Sequence, residues 1–163
     1  MEWLDIVDEH NRVVGRDTRD NIHANRLMHR AAHILLFNER GEVFVQLRSA
    51  SKDVNPSLWD TSAAGHVDSG ESYIACAVRE LEEELGVHVR ESEMHRVARM
   101  PPSDQNGFEF IEVFRAVSEQ VIVLEDGEVE DGRWLTTDAL NDWIKASPED
   151  FTQAFRTIWS MVE

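Results

Sequence analysis

Cysteine is almost missing: Cys76 is the only one among 163 residues, which excludes an internal disulfide and a cysteine-built zinc ribbon. Positive charge is scarce too. Lys and Arg total 16 against 32 Asp and Glu, a formal charge of −16. Sequence-independent binding to a nucleic acid polymer or an anionic membrane needs an excess of Lys and Arg, so both partners are excluded. A small phosphorylated partner stays open, because metal cations can bridge two negative surfaces. No apolar run approaches the ~18 residues of a membrane span. The opening MEWLDIVDEH has neither the basic start nor the apolar stretch of a signal peptide. These absences predict a cytoplasmic protein. Linkers, repeats and low-complexity tracts are also lacking, and the length suits a single domain over 1–163.

What is present is ample core material, 42% hydrophobic residues, arranged in recognisable periods. Residues 1–30 read as a hairpin, Trp3–Val7 against Val13–Val14, followed by a polar segment holding His23 and His29. AAHILLFN reads as a buried strand and EVFVQLR as an alternating one, followed by a loop over Ser49–Leu58 and a strand over Trp59–Ala64. A helix is expected from about Ser72 to Leu85, stopped by Gly86. Further strands are expected near Met94–Met100, Phe108–Val117, Gln120–Leu124 and Gly132–Leu135. Two helices follow, over about Asp138–Lys145 and from a cap at Ser147–Pro148, the second with a core stripe of Phe151, Phe155, Ile158, Trp159 and Val162. The pattern predicts an α/β fold, a mixed β-sheet sandwiched between helices.

The chemistry sits in GHVDSGESYIACAVRELEEELGV, Gly65 to Val87. On a helical wheel Ile74, Val78, Leu81 and Leu85 form a stripe expected to be buried. Glu80, Glu83 and Glu84 gather on another arc, where each like-charge pair costs ~0.2–0.5 kcal/mol unless cations sit among them. Mg²⁺ prefers such hard oxygen ligands and completes its shell with water and substrate phosphate. Arg79 is the cation of this helix, and Glu71 is its obvious partner.

Gly65, Glu71, Arg79–Glu80–Leu81, Glu83–Glu84 and Gly86–Val87, at these spacings, resemble the Nudix box with every defining position filled. At average residue frequencies nine such matches arise by chance about once in ten million sequences of this length. The resemblance implies a Nudix fold and hydrolysis of a phosphoanhydride bond, in a nucleoside di- or triphosphate or a related nucleoside diphosphate derivative. Mg²⁺ is the implied cofactor, with Mn²⁺ as its substitute. By position, Glu83 and Glu84 would be the principal metal ligands, Glu80 a further ligand or orienting carboxylate, and the Ala64 carbonyl a backbone ligand. Glu71 and Arg79 would form the ion pair that fixes loop to helix. The implied partner is a small phosphorylated substrate, and the protein itself would be a monomer or a homodimer.

The stretch before the box, HRAAHILLFNERGEVFVQLRSASKDVNPSLWDTSAAGH, resembles the isopentenyl-diphosphate isomerase branch of the family and its hydrolase relatives. Arg48 and Lys52 would then be phosphate-binding cations. The isomerase pattern carries a catalytic cysteine where this sequence has Ala64, and Cys76 lies elsewhere, in the helix. That departure favours hydrolase over isomerase chemistry, and the complete set of box glutamates disfavours a nucleotide sensor without turnover. His29 and His66 match the branch's metal-binding histidines, His23 is offset by one residue, and Glu109 matches an accompanying glutamate; these form a candidate second metal site. Strand alternation places Glu109 and Glu112 on opposite faces. For the general base, Glu128 in EVEDGRW is preferred over Glu109.

Overall fold

The computed structural model describes all of Met1–Glu163. Its central strand, β3 (His29–Phe37), is buried on both faces along nearly its whole length, as expected of a continuous apolar run. β8 (Glu109–Val117) lies parallel to it from His29↔Glu109 to Phe37↔Val117. β7 (His95–Met100) pairs antiparallel with β8 at one edge. Along the other edge of β3, two strands share the pairing. β6 (Ala63–His66) takes Ala31–Ile34, whereas β4 (Val43–Arg48) pairs only at Phe37↔Val43 and then diverges. Beyond β4 lie β9 (Val129–Leu135) and the two-residue β5 (Trp59–Asp60).

The split between β4 and β6 positions the site. Ser62 wedges it open, donating its hydroxyl to the Phe44 carbonyl at 2.5 Å while accepting from the Leu36 amide at 2.8 Å. The expected strand over Trp59–Ala64 is therefore two short strands, interrupted where Asp60 accepts from the Thr61 amide at 2.8 Å. The outer edge of β6 is left without a strand partner, and its backbone is free to bond side chains.

α2 (Tyr73–Leu85) covers this edge. The Ser72 hydroxyl caps it by accepting from the Ala75 amide, and Gly86, at φ 67°, ends it in a conformation a Cβ would strain. Cys76, Ala77, Leu81 and Leu85 are its fully buried residues, while Ile74 and Val78, expected in the stripe, are only partly covered. Together with Ala32, Ile34, Leu36 and Phe44 they form one core. α3 (Thr137–Ala146) and α4 (Gln153–Val162) cover the opposite face, over a second core that includes Leu35, Val45, Phe151 and Phe155. The result is the expected mixed sheet between helical layers.

A two-stranded hairpin, β1 (Trp3–Val7) with β2 (Val13–Thr18), precedes α1 (Arg19–Ala24), the polar segment's helix. Two expectations are corrected. Gln120–Leu124 is not a strand, because the amides of Val123 and Glu125 bond the terminal α2 carbonyls of Leu85 and Glu84 at 2.8 and 2.9 Å. The last helix begins at Gln153 and not at Ser147–Pro148, which forms a short 3₁₀ turn. Thr152 is the cap, because its own amide must first reach the Trp59 carbonyl at 2.9 Å, which keeps Phe151–Thr152 extended.

Candidate active site

Four residues of β6 carry two clusters on opposite faces. Gly65 faces α2, and a Cβ there would collide with the Glu80 carboxylate. The glycine thus lets a buried carboxylate lie directly on the strand. His66 faces the other way, paired with Ala31 on the α3/α4 side of the sheet.

On the α2 face, Glu80, Glu83 and Glu84 occupy successive positions of one helical surface with very different environments. Glu80 is buried, Glu84 is partly covered, and the Glu83 side chain is 50% exposed. One oxygen of Glu84, Oε1, accepts from two protein donors, Gln46 Nε2 at 2.6 Å and the Ala64 amide at 3.2 Å. Burial pushes the Glu80 and Glu84 carboxyls above the usual carboxylate range, and for Glu84 the adjacent Glu80 adds to the effect.

A single guanidinium serves this cluster. Arg79 donates to both oxygens of Glu71 at 2.9 Å, to Glu80 at 2.5 Å, to Glu83 at 3.3 Å and to the His66 carbonyl at 3.2 Å. The bidentate bond to Glu71 is the main reason its proton is held more tightly than usual. Glu71 in turn accepts from the Asp68 amide at 3.1 Å, so loop, helix and strand are tied through one side chain. Cys76 points beneath this network toward the carbonyls of Gly65 and His66, and burial pushes its thiol far up. It is inert packing.

Outside the box the expected cations are already engaged. Arg48 donates to the carbonyls of Val54 and Asn55 at 2.8 and 3.2 Å and lies 3.6 Å from buried Asp60, so it holds the Ser49–Leu58 loop in shape. Lys52 is paired with Glu128, whose side chain is 48% exposed just ahead of β9.

On the opposite face, His23 from α1, His29 from β3, His66 from β6 and Glu109 from β8 converge, with ligand atoms all within 4.8 Å of one another. Glu109 Oε2 accepts from His66 Nε2 at 2.8 Å and lies 3.4 Å from His29 Nε2. His29 Nδ1 meets the Leu27 carbonyl at 2.8 Å, so that nitrogen carries the proton. Its Nε2 is left as a buried lone pair without a hydrogen-bond partner. Burial works to protonate Glu109, but the imidazoles of His29 and His66 beside it prevail and hold it well below the usual range. For His66, burial opposes the charged form and Glu109 outweighs it, leaving a net rise. Burial lowers His23, helped by the positive neighbours His66 and Arg19. Glu112 is on the other face of β8, beside Arg96 and Arg99.

Gln46 is the participant that motif reading passes over. Its signal was a lone amide among the apolar residues Val43, Phe44, Val45 and Leu47.

Fold and site together define a carboxylate-bearing helix docked on a split sheet. The NUDIX domain model matches residues 27–155, and the chain belongs to the Nudix hydrolase family. An uncharacterized Nudix hydrolase of Yersinia pestis is 35% identical over 160 residues, covering 93% of this chain and 80% of that protein. An isopentenyl-diphosphate Delta-isomerase of Serratia proteamaculans is 30% identical over 162 residues, covering 96% and 89%. The crystal structure of DR0079 from Deinococcus radiodurans superposes with a TM-score of 0.85 at 27% identity over 99% of each chain. No helix is long and apolar enough to cross a membrane.

Proposed function

We propose that this enzyme hydrolyses a phosphoanhydride bond in a nucleoside di- or triphosphate, or a related nucleoside diphosphate derivative, with Mg²⁺ or Mn²⁺ held by Glu80, Glu83 and Glu84 and the Ala64 carbonyl. The observation that carries the reading is the crowding of Glu80 and Glu84 beside an unpaired strand edge with only Arg79 to offset them. Carboxylates so enclosed fit a hard divalent cation, which removes the penalty of their ionisation. A cation there supplies polarisation of the scissile anhydride and activation of water.

The chain's own residues do the positioning. Arg79, through Glu71 and Glu80, sets the helix on the loop, and half-exposed Glu83 faces the incoming phosphate side. Glu128 is the base candidate: it is accessible, and its partner Lys52 can transfer to a substrate phosphate as Glu128 takes a proton from water. Arg48 shapes the loop that presents Lys52. Glu109 is unsuited to the base role, because both nearby imidazoles hold its charge on the far side of β6.

His23, His29, His66 and Glu109 are proposed as a second metal site. The free Nε2 of His29, oriented by the Leu27 carbonyl, is the ligand geometry imidazole–metal sites use. Three nitrogens and one carboxylate suit a first-row transition ion better than Mg²⁺.

A nucleotide panel assayed with Mg²⁺ or Mn²⁺ in ¹⁸O-water and read by phosphorus NMR tests the reading. Release of phosphate or nucleoside monophosphate carrying label is expected. Turnover of isopentenyl diphosphate to its isomer, with no nucleotide cleaved, would overturn it; Ala64 in place of the thiol predicts no isomerisation.

A further inference from the structure

Gln46 lies on β4, in the cleft where β4 and β6 separate, and it is 95% withdrawn from solvent, with 5% exposure. Its Nε2 donates one hydrogen to Glu84 Oε1 at 2.6 Å and the other to the Ser62 carbonyl at 3.0 Å. Both partners are acceptors, so the amide can be seated only with its nitrogen toward them. Ser62 is itself fixed by its bonds to Phe44 and Leu36, which makes the donor a rigid part of the sheet. With the Ala64 amide also on Oε1, that oxygen of Glu84 has two protein donors. Its lone pairs are committed, and Oε2 is the oxygen left for any other partner.

We infer that Gln46 is the positioning residue of the active site: it turns the Glu84 carboxylate so that Oε2 alone is presented to the cation. The inference rests on the proposed role of Glu84 as a metal ligand and adds the residue that orients it. A carboxylate held by one oxygen binds in a single geometry, and outer-shell donors of this kind set ligand direction and basicity. The arrangement also explains a buried amide between Val45 and Leu47, where a hydrocarbon would pack at lower desolvation cost. Gly132 of β9, paired with Gln46, leaves room for the Phe44 ring where its own side chain would lie.

Q46M and Q46L keep the volume and remove the donor. Binding of Mn²⁺ to the substrate-free protein and the Mg²⁺ concentration giving half-maximal hydrolysis are measured for both, beside Glu84→Gln and the unaltered chain. The expected result is an increase of at least ~10-fold in both metal constants. The nucleotide KM at saturating Mg²⁺ should be unchanged, and turnover should recover as Mg²⁺ is raised. A merely structural loss would lower melting temperature without moving the metal constants or responding to added metal, and that result overturns the assignment. If one variant fails to fold, the other decides. Glu84→Gln separates the two levels: wild-type turnover there removes Glu84 from the mechanism and Gln46 with it. An inactive Glu84→Gln beside Q46M and Q46L with unaltered metal constants overturns the Gln46 assignment alone.

Discussion

On the α2 face of β6, three glutamates surround one guanidinium; on the opposite face, three imidazoles surround one carboxylate. In the first group burial drives Glu80 and Glu84 toward protonation, and for Glu84 the adjacent Glu80 adds to it. The second is close to self-sufficient, because Glu109 and His66 stabilise each other's charged forms. One strand thereby presents a hard, anionic pocket and a softer, nitrogen-rich one, separated by the thickness of its backbone. Proximity in sequence does not make one site: Gly65 and His66 are adjacent and serve opposite faces.

Substitutions can break this comparison on either side. Glu83→Gln and Glu84→Gln should each lower kcat by at least ~10²-fold with the fold retained, the range for losing a preorganised electrostatic group; steady-state kinetics at saturating Mg²⁺ checks it. Gly65→Ala should displace the Glu80 carboxylate and cost ~10–100-fold in kcat, as small misplacements do. On the other face, His29→Ala should weaken first-row transition-ion binding by ~10–100-fold, measured by equilibrium dialysis, and leave the Mg²⁺ requirement for hydrolysis where it was. Arg79→Ala removes the cation of the acidic face and should destabilise the protein by about 1–3 kcal/mol in urea unfolding, a range kept low because its side chain is partly exposed.

The smallest effect is one of pH. Glu80 and Glu84 bind protons more tightly folded than unfolded, since their values are raised from 4.5. Metal-free stability from this pair is therefore present below the unfolded value and is lost as pH rises through the raised folded one. Calorimetric melting of the metal-free chain compared with Glu84→Gln, which shares the carboxylates with lowered values, should show this fall in the difference, and Mg²⁺ should cancel it. A difference that rises over the same interval would contradict the raised proton affinity of Glu84.

Much of this arrangement is legible in the residues. The period of AAHILLFN and EVFVQLR places both central strands, and Ser72 and Gly86 bracket α2 because capping is a local matter. The Glu71–Arg79 contact is readable because box spacing places both at the loop–helix junction. Gln120–Leu124 is misread because its valine and isoleucine pattern resembles a strand, whereas the helix carbonyls it satisfies are over thirty residues away in sequence. The same holds for Gln46, whose two partners come from the break between β5 and β6 and from α2. His23 looks one residue out of place on the sequence, yet α1 turns its ring into the cluster, with centroids 5.3 and 5.1 Å from His29 and His66. Long-range partners of single polar side chains are the part that periodicity does not encode.

The two faces of β6 are proposed to bind metal independently, the acidic face being the hydrolytic one. Mn²⁺ binding to the unaltered chain, Glu84→Gln and His29→Ala, followed by electron paramagnetic resonance, tests it most directly. The account predicts two separable classes of bound ion, one weakened by Glu84→Gln and the other by His29→Ala, with hydrolysis following the first. A single class weakened equally by both substitutions, or hydrolysis that follows the class lost in His29→Ala, would contradict it.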